Sequence, residues 1–233
     1  MRKRRFFKKV EVAEVEEGFA IHLDGRPVRT PGRARLILSS KRLADAVAAE
    51  WRGQGETIRP HTMPLTQLAN TAIDRIGPLR QAVIDEVMKY AGTDLLCYRV
   101  QEPVALALRQ STRWQPVLDW AAERFGAKLV VTAGILPVAQ PAPALAALRE
   151  KLDSYDTLRL AVAQSVVAAS GSLVLALALV EGYLDAEATF AASQLDELWQ
   201  NELWGEDELA LKRRETLKAE IFAAADFLAF ATT

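Results

Sequence analysis

The sequence predicts an α+β fold, with a small β-rich N-terminal domain over residues 1–62 and a mainly α-helical C-terminal domain over residues 63–233. Two observations carry that prediction. The first forty residues consist of short, partly alternating apolar runs cut by Gly, Pro and Asp-Gly, the pattern of strands joined by tight turns. Beyond residue 100 the apolar residues recur at helical spacing over much longer stretches. With 233 residues, half of them hydrophobic, the chain can bury a real core without disulfides or metals.

Taken in order, Phe6–Val15 reads as a first strand through Phe6, Val10, Val12 and Val15, and Phe19–Leu23 as a second after Gly18. Asp24-Gly25 is a two-residue hairpin signal, because both central positions of that turn want positive φ. Val28–Thr30 and Leu36–Leu38 follow around Pro31-Gly32. Ser39 or Ser40 caps a helix bearing Leu43, Val47, Ala48 and Trp51, which Gly53 ends. Pro64 suits a first helical turn, where its missing N–H has no helical partner. Helices are expected over Leu65–Ile76 and, past Gly77-Pro78, over Leu79–Tyr90.

Further on, Pro103–Arg109 and Trp114–Phe125 read as two helices around Ser111-Thr112, with Gly126 as a C-cap residue. Leu129–Val131 is a short strand candidate, and Pro137 to Pro143 a proline-punctuated connection. Helices are then expected over Ala144–Leu152, Thr157–Glu181, Ala186–Asn201 and Glu206–Phe230. In the last, Leu217, Ile221, Ala224, Ala225 and Leu228 form one stripe.

Charge and composition exclude several function classes. The formal net charge is −1, so the whole molecule has no strong field to steer it onto nucleic acid or an anionic membrane. The basic start (Arg2, Lys3, Arg4, Arg5, Lys8, Lys9) is followed at once by Glu11, Glu14, Glu16 and Glu17, and reads as a solvated lead into the first strand. The charge-free stretch from Leu160 to Val180 is alanine-rich and diluted by Gln164, Ser165, Ser170, Gly171 and Ser172. A buried core helix, with no membrane insertion, is the reading. Cys97 is the single cysteine, so no disulfide can form within the chain and a reducing compartment fits.

No catalytic set, cofactor motif or metal-ligand set stands out. His22 and His61 are the two histidines and have no Cys or His neighbour at metal spacing. Glycine loops of the phosphate-cradling kinds are missing. Ser170-Gly171-Ser172 is the nearest thing to a nucleophile turn, yet falls inside an expected helix, where small residues favour close helix approach. Glu206, Asp207 and Glu208 fall in a first helical turn, where acids complement the helix dipole, and Glu208 can pair with Lys212. Trp51 lies on the apolar stripe of its helix. Trp204, beside Gly205 at a break between helices, is an interface anchor or a corner-packing residue.

What does stand out is a set of ordered clusters. They are Asp24-Gly25-Arg26 with Thr30-Pro31, Ala49-Glu50-Trp51 with Gln54, Met63-Pro64-Leu65-Thr66, Thr93-Asp94-Leu95-Leu96-Cys97-Tyr98-Arg99, and Trp204-Gly205-Glu206-Asp207-Glu208. Together they resemble the ATP synthase F(1) assembly chaperones that attend the alpha subunit, the Atp twelve family. The resemblance implies a two-domain α/β chaperone that binds unassembled alpha subunit, prevents its aggregation and hands it on when beta arrives, without hydrolysing nucleotide. It implies a partner-contact role for Glu208, with Trp204 and Glu206 beside it, and a structural role for Trp51. Eukaryotic members carry a mitochondrial presequence, whereas this chain begins almost at its first strand, so a bacterial cytoplasmic member or a processed matrix form is expected. The alternative is a small hydrolase or transferase with an inter-domain site drawn from Asp24, Arg26, His61, Asp94 and Arg99.

Overall fold

The structure is a computed structural model and describes residues 3–134, 138–205 and 207–232. Its strands are β1 (Lys3–Arg4), β2 (Val10–Val15), β3 (Gly18–Leu23), β4 (Arg26–Pro27), β5 (Ile37–Leu38), β6 (Thr57–Ile58), β7 (Tyr98–Arg99) and β8 (Thr132–Ala133). The first helices are α1 (Lys41–Arg52), α2 (Pro64–Thr71), α3 (Gly77–Gly92), α4 (Val104–Phe125) and α5 (Ala142–Asp153). They are followed by α6 (Thr157–Ser170), α7 (Leu173–Val180), α8 (Ala186–Ser193), α9 (Leu195–Trp204) and α10 (Glu208–Ala231). A small N-terminal strand region followed by a mostly helical remainder is the expected α+β class. Two compact units emerge: one holds Met1–Arg80, Asp156–Val162 and Asp226–Thr233, the other Gln81–Tyr155 and Ala163–Ala225.

In the first unit β3 is the hub. β2 pairs along the whole of it in register Val10↔Leu23 to Val15↔Gly18, while β4 also pairs with its His22 and Leu23 and β5 with its Phe19 and Ala20. The hairpin turn forms as the sequence predicts: Asp24 has φ 49° and Gly25 φ 77°. Ser40 caps α1, its hydroxyl oxygen accepting the Leu43 N–H. The helix then buries Leu43, Ala44, Val47 and Ala48, and α1 lies against β2 and β3.

Gly77-Pro78 marks a break, as expected, since helical geometry is interrupted immediately after it. Between α2 and α3 the chain makes one wide turn, Ala72–Ile76, in which the Gly77 N–H donates to the Ala72 carbonyl five residues back. The extra residue makes room for the proline ring, and the remaining distortion falls on Leu79 (φ −121°, ψ 28°).

The second unit is built around α4, which packs with α5, α7 and α9. Trp114, Val117, Leu118, Val174, Leu175 and Ala178 belong to its core. Here the expected helix breaks are redistributed. Ser111-Thr112 sits inside one continuous α4: both residues keep their N–H groups, and a stripe of Leu106, Gln110, Trp114 and Val117 is buried through them. The expected single helix over Thr157–Glu181 is instead α6 and α7. Gly171 takes φ 72°, and Ser172 caps α7 by accepting the Leu175 N–H. Likewise Ala186–Asn201 divides into α8 and α9 at Gln194. The short strand expected at Leu129–Val131 forms slightly later, as β8, parallel to β7. Within the expected connection from Pro137, that residue lies outside the described ones, as does Arg2 of the basic start.

Among the described residues, no helix is long and apolar enough to cross a membrane.

Candidate functional site

Most of the clusters singled out in the sequence are clasps in which a carboxylate from one segment takes backbone N–H groups of another. Asp24, in the β3–β4 turn, accepts the Lys8 and Lys9 amides at 2.8–3.2 Å, and these bonds hold its pKa below the ordinary value. Glu50 of α1 reaches the open end of α2, where Leu65 and Thr66 donate their amides and Thr66 its hydroxyl at 2.7–2.8 Å. Asp74 takes the Thr30 hydroxyl at 2.6 Å and the Gly32 amide at 2.7 Å. A Cβ on Gly32 would lie 2.6 Å from that carboxylate, so a side chain there would push Asp74 out of these hydrogen bonds.

Asp94, fully buried, completes the series. It accepts the Ser172 hydroxyl at 2.7 Å, the Val174 amide at 3.0 Å and the Leu96 amide at 3.1 Å. Burial pushes its carboxyl up to about 6 against the pull of these donors. Beside it Cys97 is fully buried and its thiol is pushed up to about 12, chiefly by burial and then by Asp94. The thiol is packing material in this setting.

A different kind of surface lies where α9 meets α10. Trp204 ends α9 with 78% of its surface exposed, between Leu203 at 55% and Leu209 at 75%. Gly205 turns the chain there with φ 85°, a conformation that favours glycine. Asp207 then caps α10 by accepting the Ala210 N–H at 3.0 Å, and Glu208 forms the expected ion pair with Lys212 one turn on, both exposed. Glu206 lies outside the described residues.

The corner is held on a rigid support. Along α4, the Trp114 indole N–H donates to the Ala192 carbonyl at 2.9 Å, and the buried Gln110 amide donates to Asp196 at 2.8 Å. One residue earlier, Arg109 pairs with Glu202 at 2.7 Å and lies 4.6 Å over the Trp199 ring. The hydrogen bond between Arg109 and Glu202 raises the pKa of the first and lowers that of the second. An exposed pair of this kind adds little stability, so its effect is to orient α9. Val104 and Leu108, at the start of the same α4, are 67% and 65% exposed. Sequence reasoning missed Arg109, Leu209, Val104 and Leu108. The one signal for the last two is a pair of apolar residues a helical turn apart.

Trp51 is half-buried, its ring edge-on to Phe7 with centroids 5.7 Å apart. Of the residues named for an enzymatic alternative, Asp24, Arg26 and His61 line one cavity of the first unit. Asp94 and Arg99 belong to the second unit, and neither lines that cavity. Arg99 is tied to the Gln115 side chain at 3.0 Å and to the Leu96 carbonyl at 3.3 Å. His22 sits on β3 opposite Glu11. Among the described residues, no three His, Cys, Asp or Glu side chains gather as a metal site would need.

Comparison with known proteins points in one direction. Residues 4–122 match the family model described as ATP12 chaperone protein. The crystal structure of Atp12 from Paracoccus denitrificans superposes with a TM-score of 0.91 at 40% identity, covering 98% of each chain. A candidate chaperone from Agrobacterium tumefaciens also gives 0.91, at 43% identity, covering 97% of this chain and 85% of that one. The mitochondrial protein atp12 of Schizosaccharomyces pombe is 26% identical over 237 residues, covering 95% of this chain and 81% of its own length.

Proposed function

This chain belongs to the ATP12 chaperone family, and from that premise we propose that it assists assembly of the ATP synthase F(1) sector by binding the unassembled alpha subunit. It covers an apolar alpha surface that would otherwise self-associate, and releases it when beta competes for the same surface. Exposed interface on an unassembled subunit is an aggregation hazard, and a reversible cover removes it without chemistry.

The observation that carries this reading is the corner at Trp204. A tryptophan flanked by two leucines, all mostly exposed, is held out from a buttressed helix end beside Glu208. A rigid aromatic anchor with an apolar surround and charged rim is what a protein-docking site needs. The same function places the chain in a bacterial cytoplasm, or in the mitochondrial matrix for a processed eukaryotic form. A chaperone is favoured over a catalyst because the family is described as a chaperone protein and the Agrobacterium relative as a candidate chaperone, and because the Asp94 and Asp24 carboxylates are engaged in clasps.

The test uses purified chain and isolated alpha subunit. Pull-down is expected to recover a complex, and light scattering to show that the chain suppresses alpha aggregation. Aggregation that proceeds at the same rate with and without the chain overturns the proposal.

A further inference from the structure

The first unit contains an open cavity of about 950 Å³ that the reading above leaves without a role. Two features built nearby shape it. The antiparallel pairing of β1 with β6 brings the chain leading to Phe7 beside the chain that precedes Thr57, with the Arg5 amide donating to the Glu56 carbonyl. The Asp24 clasp then fixes Lys8 and Lys9 to the tip of the β3–β4 hairpin.

Its lining is apolar at the base and cationic at the edge. Phe7 and Val28 are buried, and the Trp51 ring stands edge-on to Phe7. Arg26, Arg29 and Arg59 also line it and are exposed. Asp24 is the one acid in the lining, and its oxygens are already engaged by backbone amides. Arg29 donates to the Arg33 carbonyl at 2.8 Å. Among the described residues, the Arg26 and Arg59 guanidinium groups have no carboxylate partner. The Trp51 indole nitrogen is buried without a hydrogen-bond partner, a cost that a folded protein ordinarily avoids.

We propose that this cavity docks an extended acidic–apolar segment of a client protein. An apolar side chain of the segment packs on Phe6, which lines the cavity and is 58% exposed, and on the half-buried Trp51 ring. Carboxylates on either side of it meet Arg26 and Arg59. Each demand is set by a group the cavity leaves open: exposed apolar area and unpaired guanidinium. A free inorganic anion would leave the apolar base uncovered, and the cavity is at the large end of the roughly 300–1,000 Å³ range of ligand sites. Only the identity of the client rests on the chaperone reading; the chemistry of the segment does not.

The experiment is a titration of ¹⁵N-labelled full-length chain, followed through the Trp51 indole resonance. The probes are a short blocked peptide of alternating glutamate and leucine, its lysine-for-glutamate counterpart, and inorganic phosphate. The acidic peptide is expected to move the resonance saturably, and the other two to leave it in place. Arg26→Ala with Arg59→Ala, both on exposed residues, is expected to weaken that binding by about tenfold or more, through loss of charge-assisted hydrogen bonds. A resonance indifferent to the acidic peptide overturns the proposal, as does an equal response to the lysine peptide or to phosphate. No alpha subunit is present in this measurement. A negative result therefore removes the cavity's role and leaves the chaperone reading standing, whereas failed alpha capture would strike only the latter.

Discussion

Glu50 and Thr66 meet end-on: a single carboxylate oxygen of Glu50 accepts both the amide and the hydroxyl of Thr66, while its other oxygen takes the Leu65 amide at 2.7 Å. One side chain of α1 thus satisfies the open N–H groups of α2, a capping job that a residue preceding the helix usually performs. Met63 supplies no side-chain cap of its own. The clasp also explains why Glu50-Trp51 and Met63-Pro64-Leu65-Thr66 occur in one chain: donor and acceptor belong to different clusters.

Glu50→Ala should therefore cost about 1–3 kcal/mol of stability, the range for stranding buried donors of a charge-assisted bond. Glu50→Gln should fall between Ala and the parent, because one amide oxygen still accepts while the NH₂ group faces donors. Urea denaturation measures both. An Ala variant as stable as the parent would mean that water serves those amides equally well.

The signals that read correctly in the sequence are local ones. Asp24-Gly25 makes its turn, Ser40 and Gly53 bound α1, Gly126 ends α4 in the left-handed conformation, and Glu208 finds Lys212 one turn away. Each needs only residues within about a turn of itself. What the sequence hid depends on distant partners. Ser111-Thr112 looks like a helix break until the burial of Gln110 and Trp114 on either side is known. Ser170-Gly171-Ser172 looks like an accommodating stretch inside a helix until Asp94 arrives to take the Ser172 hydroxyl and the Val174 amide. In the site, Trp204 announced itself by its place at a break. Its support by Arg109, Gln110 and Trp114 could not be seen, since nothing in the sequence pairs α4 with α9.

Asp94 gives a pH dependence with a definite sign. Its native pKa, about 6, stands above the ordinary 3.8, so the folded chain keeps a proton that the unfolded chain has released. Stability from this group is present below about pH 4 and is lost as pH rises through 6. The gap corresponds to roughly 3 kcal/mol. Asp94→Asn abolishes the titration, so the difference in unfolding free energy between parent and variant should change across that window and be flat above it. A difference that stays constant from pH 4 to 7 would show an ordinary carboxyl.

Trp51 stands half-buried against Phe7, with Glu50 in its clasp on one side. Trp51→Arg removes the ring contact and sets a cation among Arg26, Arg29 and Arg59. A loss of about 1–3 kcal/mol is expected, with Trp51→Phe retaining most of the stability. Thermal melts of the two variants check the order. Equal melting temperatures for Arg and the parent would deny the ring a structural role.

Glu208 separates surface function from fold. Its side chain is 78% exposed and, among the described residues, it is tied to Lys212 alone. Glu208→Lys turns that pair into a like-charge contact one turn apart, a small effect on an exposed helix. The melting temperature should stay within a few degrees of the parent while capture of isolated alpha subunit weakens. Capture at parental strength would return Glu208 to a helix-end role alone.

Trp204 is the sharper test of the same surface. With 78% of its area exposed, its ring contributes little burial to the folded chain, so Trp204→Ala should unfold at the parental midpoint. In a complex the same ring would be covered, and truncating a central aromatic anchor commonly costs 2 kcal/mol or more, roughly a thirtyfold loss of affinity. Trp204→Phe should recover part of it, because an aromatic ring still fills the partner's recess. Leu209→Ala, on the α10 side of Gly205, should weaken capture less, as a surrounding contact whose main effect is to exclude water. Titrating isolated alpha subunit with each variant, with light scattering as the readout, ranks them. If all three suppress aggregation as the parent does, the client docks elsewhere on the molecule and the exposed corner has a different purpose.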